Sequence, residues 1–264
     1  MSKNRKSRGS QKGPSRGVRI CPMCSHGPAN TKEDIIPQWA RDRLKSFPFP
    51  NNQFPSELIS ICRDCNAGLG KQFENHAGPL LGPMLDGKTV VLSPSDQALI
   101  GAWIIKTNCL LHLRSDRISS SDRKTLRTVL LGMIENGRPP IASFVRIGRI
   151  DPFDQAGTPA GDLHTAGPLP NAFLHAVFSL SHIAAEAVMG DPRIVGPFIM
   201  GLNDHPRLHR IWPAQIASVA WPPPESITRS DVEHLRSGWQ LLQWPPPAGM
   251  TPPTPTVRSF IPLE

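Results

Sequence analysis

Two stretches of the chain repeat apolar residues at helical spacing. In residues 98–113, Ala98, Ala102, Ile105, Cys109, Leu110 and Leu113 recur mostly three or four apart, and nearly every face is apolar. A helix apolar all round belongs in the centre of a protein. Ser93-Pro94-Ser95-Asp96 supplies its start, with a hydroxyl cap and an acid in the first turn. A second helix starts at Ser119-Ser120-Ser121-Asp122 and ends at Gly137 and Pro139, with Leu126, Val129, Leu130, Met133 and Ile134 as its stripe. Cys109 reads as a small core residue. Beyond Pro140 the pattern turns to strands. Residues 141–147 are β-rich, 173–180 and 183–189 predict a strand pair or one long bent strand, and 194–200 and 216–221 predict two more. Residues 230–238 predict a short helix. The sum is an α+β fold with a mostly antiparallel, β-rich C-terminal region. Proline-rich stretches at 221–224, 244–247 and 252–255 resist regular structure, the last as a loose tail with polyproline II character.

Composition adds limits. The chain has 264 residues and is 39% hydrophobic, enough for a core, which excludes a fully disordered chain. No internal repeat is visible. The longest apolar run, 98–113, is broken by Lys106, Asn108 and His112 and falls short of the roughly 20 residues of a membrane span. The basic N-terminus lacks a following apolar segment and does not read as a signal peptide. A cytoplasmic protein without a membrane partner is the expectation.

The net charge of +8 is unevenly spread. Lys3, Arg5, Lys6, Arg8, Lys12, Arg16 and Arg19 load the first 19 residues, which hold no acid. Such a segment predicts a disordered basic arm that neutralises phosphates, or only a solubilising tail. Arg114, Arg117, Arg123, Lys124 and Arg127 bracket the turn between the two helices and either extend that surface or are simply solvated. Arg41, Arg43 and Lys45 carry the same two readings. The expected organisation is a basic arm over 1–19, a cysteine module over 20–86, a helical and β-rich domain over 93–245 and a proline-rich tail over 246–264.

The cysteines carry the sharpest signal. Cys21-Pro-Met-Cys24 and Cys62-Arg-Asp-Cys65 form two CxxC pairs. One tight turn delivers two thiolates, so two turns complete a tetrahedral site for structural Zn²⁺. Another metal, such as an iron–sulfur centre, or a disulfide or redox pair, are the alternatives. His205 and His209 are four apart, but Pro206 lies between them and no cysteine completes a set.

Beside the knuckles stand Thr31-Lys32-Glu33-Asp34-Ile-Ile-Pro37 and, after Cys65, Asn66-Ala-Gly-Leu-Gly-Lys71-Gln-Phe-Glu74. At these residues, over about 18–80, the sequence resembles the HNH endonucleases of the four-cysteine, ββα-metal type. That resemblance implies a zinc-stapled ββα module and a metal-dependent hydrolysis of phosphodiester bonds in DNA, with RNA left open as a partner. Glu33 resembles the acidic ligand of a catalytic Mg²⁺ or other divalent cation, and Asn66 the ligand or orienting group borne by the helix. Asp34 stands where the family has its first His, the general base. An Asp, starting near pKa ~3.9 and lowered further by a cation, makes a poor base. Asp34 is then a second metal ligand, a weak base helped by His26 or His76, or the mark of a degenerate site. Lys71 would contact the nucleic-acid backbone. A catalytically degenerate module that binds nucleic acid or a protein partner is the competing reading. The sequence leaves the oligomeric state open.

Overall fold

A computed structural model describes residues 19–44, 58–115, 118–151, 163–169, 173–190 and 207–236, together with 192, 195, 196 and 205. Lys3, Arg5, Lys6, Arg8, Arg117 and the proline-rich stretches at 244–247 and 252–255 lie outside these residues.

The fold is α+β, with helices first and a β-rich C-terminal region. Strands β1 (Thr31–Asp34) and β2 (Leu58–Ile61) form an antiparallel pair with Glu33 opposite Ile59. Helix α1 (Gln38–Leu44) follows Pro37. Helix α2 (Arg63–Leu69) starts directly after β2, runs through one π-helical turn (Gly70–Glu74) and continues as α3 (Asn75–Leu85). After the short β3 (Val90–Leu92) comes α4 (Pro94–Arg114), opened by the expected cap. The Ser93 hydroxyl accepts from the Asp96 N–H, and the Asp96 carboxylate accepts from the Ser93 N–H at 2.9 Å. This reciprocal pairing satisfies two amide donors at the helix end. Helix α5 (Ser120–Asn136) is capped by Ser119 and stopped by Gly137, whose φ of 64° suits a residue without Cβ.

The main sheet has the order β10-β4-β7-β6-β5, and β8 also pairs with β4. Its strands are β4 (Ser143–Ile150), β5 (Leu163–Leu169), β6 (Phe173–Leu180), β7 (Ile183–Met189), β8 (His209–Trp212) and β10 (Ser226–Ile227). Strand β9 (Val219–Trp221) pairs with β3, and α6 (Arg229–Arg236) closes the described chain. Among these strands only β10–β4 is parallel.

Strand alternation sorts the sheet into two faces. Val145, Ile147, Ala185, Ala187, Phe178 and Leu180 join one core cluster with Trp103, Ile105 and Cys109 of α4. That cluster also contains Cys21, Met23, Cys62 and Cys65, so the cysteine segment and the sheet share a single apolar interior. On the opposite face Ile150, Val177 and Ala184 pack with Leu208, Ile227, Val232 and Leu235.

Three expected strands differ from those found. The strand expected at 141–147 runs from Ser143 to Ile150, leaving Ile141 89% exposed, because Pro139-Pro140 delay entry into the ladder. The strand at 216–221 shrinks to Val219–Trp221, because its partner β3 is only three residues long. Val195 and Gly196 are helical, and the rest of 194–200 lies outside the described residues. Pro192 and Pro197 lack the N–H that a ladder requires.

Gly148 lies where β4 comes close to the segment at Arg207 and Leu208. A Cβ there would lie 2.5 Å from the Leu208 side chain and 2.8 Å from the Arg207 carbonyl oxygen. Backbone cannot yield as a side-chain tip can. Gly148→Ala is expected to cost about 1–3 kcal/mol. The check is a lower denaturant midpoint at unchanged slope; an unchanged midpoint would show that this face relaxes freely.

Candidate functional site

The four cysteines of the two CxxC motifs come together in space, their Sγ atoms all within 4.8 Å of one another. In the first knuckle the Cys21 N–H donates to the Gly27 carbonyl at 2.8 Å and the Ser25 N–H to the Cys21 carbonyl at 3.0 Å. These bonds close the turn, and Ser25 adopts a left-handed φ of 64° to complete it. In the second knuckle Cys62 is the N-cap of α2, its sulfur facing the Cys65 N–H at 3.5 Å. Helix α5 holds the first knuckle from outside: Arg127 Nε donates to the Pro22 carbonyl at 2.6 Å.

Thiolates set tetrahedrally at ~2.3 Å from a metal stand roughly 3.8 Å apart. Cys24 and Cys62 are separated by 3.7 Å, and all four cysteines are free thiols. The group can hold a metal ion such as zinc. Burial pushes the Cys62 and Cys65 thiols up; at Cys24 burial acts the same way, but hydrogen bonds from the His26 and Gly27 backbone and from Cys62 and Cys21 outweigh it and hold the thiol at about 6. Four thiols this close become thiolates together only with a cation among them. Among the described residues this is the one such group of His, Cys, Asp or Glu.

The second cluster grows from the end of β1. Alternation turns Glu33 inward, 8% exposed, and Lys32 and Asp34 outward. Glu33 Oε1 lies 3.8 Å from Lys106 Nζ of α4. Lys106 is fully buried and forms a close ion pair with Glu74 Oε1. Trp103 Nε1 donates to Glu74 Oε2 at 3.3 Å, and the Lys106 ammonium stands 5.8 Å from the Trp103 ring centroid. Trp39 packs on Trp103 with ring centroids 6.1 Å apart. The π-helical turn sets the rotation at which Phe73 enters the core and Glu74 reaches Lys106; such turns insert one residue into a helix and shift its phase. Burial raises the Glu33 carboxyl to about 7, with Lys106 opposing the rise and Glu74 and Asp34 adding to it.

Asp34 ends β1 differently. Its Oδ2 pairs with Arg41 at 2.8 Å, while Oδ1 is buried without a hydrogen-bond partner. Asn66, in the first turns of α2, donates from Nδ2 to Thr31 Oγ1 and to the Lys32 carbonyl, both at 3.2 Å. It thus ties the helix after the second knuckle to the strand that carries Glu33 and Asp34.

The expected site residues therefore fall into distinct settings. Asn66 is joined to β1 directly. Glu33 is joined to Glu74 and Lys106, and Asp34 to Arg41. His26 and His76 are exposed, and no described hydrogen bond or ion pair joins either to Glu33, Asp34 or Asn66. Lys71 is exposed on the π-helical turn. Four basic residues considered for a phosphate surface have internal partners, Arg41 with Asp34 among them. Arg123 donates to the carbonyls of Leu113 and Ser115, covering the end of α4, and Arg127 clamps the first knuckle. Arg43 lies against Gly82 and pairs with Asp86 at 3.4 Å. Lys106 was visible beforehand only as a charge interrupting an apolar helix, and nothing local linked it to residues near 33 and 74. No family model matches the chain, and no curated protein or solved structure gives a significant match.

Proposed function

We propose that the chain is an HNH-like, metal-dependent endonuclease acting on DNA, with Cys21, Cys24, Cys62 and Cys65 binding a structural Zn²⁺. The observation that carries this reading is the bond from Asn66 to β1. It ties the residue after the second CxxC to Thr31 and Lys32, the first two residues of the four-residue strand that also bears Glu33 and Asp34. Asp34 Oδ1, a buried carboxylate oxygen with no hydrogen-bond partner, is the kind of donor a hard cation takes. A divalent cation such as Mg²⁺, held by Glu33 and Asn66, would polarise the scissile phosphate and activate water. Arg41 fixes the Asp34 carboxylate, and Asn66 fixes the helix to the strand. Lys32, Arg63 and Lys71 are exposed close to Asn66 in sequence or through its hydrogen bond, and suit the phosphate backbone.

Plasmid nicking in Mg²⁺ or Mn²⁺ tests the proposal. Glu33→Ala and Asn66→Ala are each expected to lower the cutting rate by about 100-fold or more at unchanged zinc content. Cutting that survives both substitutions rules out this site.

A second reading has its own support. Lys106 already places a cation beside Glu33, and Asp34 replaces the imidazole base. On that reading the module binds nucleic acid without cutting it. Its signature is a wild-type chain inert in every divalent metal, with nicking restored by Asp34→His. Removing residues 1–19 should weaken DNA binding and flatten its dependence on log salt in either case.

A further inference from the structure

We propose that Lys106 of α4 is a positioning residue for the Glu33 carboxylate, so that a helix outside the cysteine module completes the site at the end of β1. This rests on the nuclease reading above. A buried ammonium is costly unless paired, and one carboxylate suffices to pair it. Here there are two. Glu74 is the close partner, locked in turn by the Trp103 indole N–H, and Glu33 stands 3.8 Å away on a different element.

Trp103 and Lys106, three apart on α4, share a face and reach the module together. Lys106 is itself immobilised by burial, by Glu74 and by the Trp103 ring. It is therefore a fixed charge beside the shorter Glu33 side chain. The Glu33 side chain keeps 10% of its surface open, so it is held from behind and still reachable from outside. A ligand carboxylate with one oxygen steered by a fixed charge loses most of its rotational freedom before a cation or phosphate arrives. Groups that orient metal ligands in this way commonly matter as much as the ligands.

The experiment compares full-length wild type, Lys106→Met and Lys106→Arg in plasmid nicking with saturating Mn²⁺, alongside plasmid affinity by gel shift. Lys106→Met should cut about 10–100-fold more slowly, with plasmid affinity held within about twofold, and Lys106→Arg should recover most of the rate. Loss of rate without loss of affinity, rescued by charge, is not what general loosening of the fold produces. Should Lys106→Met fail to fold, Lys106→Gln, which keeps a buried donor, carries the same expectation. Cutting by a folded Lys106→Met or Lys106→Gln variant at the wild-type rate overturns the inference and leaves the nuclease reading intact. So does an arginine variant as slow as the methionine one. A wild-type chain that never cuts overturns the nuclease reading itself, and this inference with it.

Discussion

On the structural-zinc reading proposed above, chelating the metal from the four-cysteine cluster, or replacing Cys62 with Ser, is expected to unfold the module and much of what packs on it. Cys62 is both a sulfur donor and the N-cap of α2, so the serine variant loses a ligand where the helix begins. Cys21, Met23, Cys62 and Cys65 share one apolar cluster with Trp103 of α4 and Val145 of β4. Loosening the knuckles therefore opens the interior rather than a surface appendage. Metal binding at a structural thiolate site is worth about 10 kcal/mol or more, comparable to the whole stability of a domain. Near-ultraviolet circular dichroism, which reports Trp packing, should collapse on chelation as zinc appears in the filtrate. A chain that carries no metal and melts unchanged in chelator would overturn this expectation.

The second large effect lies on the other face of the sheet. Arg146 of β4 and Glu186 of β7 face each other in register, with Arg146 Nε 2.5 Å from Glu186 Oε2. His175 Nε2 lies 2.8 Å from Glu186 Oε1, and all three residues are buried. Arg146→Ala would leave the carboxylate buried without its guanidinium, at an expected cost of about 3–5 kcal/mol. Arg146→Met combined with Glu186→Leu should regain much of that loss, because removing both charges also removes their desolvation cost. A double variant no more stable than the single one would show that shape, not charge, matters at this position.

The same triad sets a pH dependence with a definite sign. Burial alone would raise the Glu186 carboxyl, but Arg146 and His175 outweigh it and hold the group at about 2. A carboxyl lowered on folding stabilises the protein above its unfolded pKa of ~4.3. That contribution fades as pH falls from there toward about 2. Wild type should lose stability over this window more steeply than the Arg146→Met, Glu186→Leu variant. Parallel acid-unfolding curves would contradict the assignment.

What could be read from the chain follows the range of each interaction. The CxxC turns are local, and four of the five cysteines could be assigned to one group from spacing alone. The caps of α4 and α5 are equally local: Ser93 with Asp96 and Ser119 with Asp122 decide where each helix begins. Strands β6 and β7 were legible as β-rich segments, but a strand pair and one long bent strand remained open until the turn at Ser181-His182 closed them into an antiparallel hairpin. Strand β7 shows where such reading weakens. All seven of its residues are buried, so both faces look alike and only Glu186 breaks the run. The three-residue strands β3 and β9 carry too few side chains for any alternation, and each exists through the other.

The sequence by itself determined the α+β order, the buried α4, the four-cysteine group and the juxtaposition of Glu33 with Asp34. Each of these rests on neighbours in the chain or on a repeat along one element. Only the tertiary structure decided what those carboxylates face. Lys106 meets Glu33 and Glu74 because α4 crosses the module, and Arg41 meets Asp34 because α1 folds back beside β1. Arg123 and Arg127, equal to Lys124 in a count of charge, became helix cap and knuckle clamp through packing alone. Pairings of this kind are fixed by the packing of whole faces, whose apolar residues are interchangeable in a linear reading, so no local pattern can announce them.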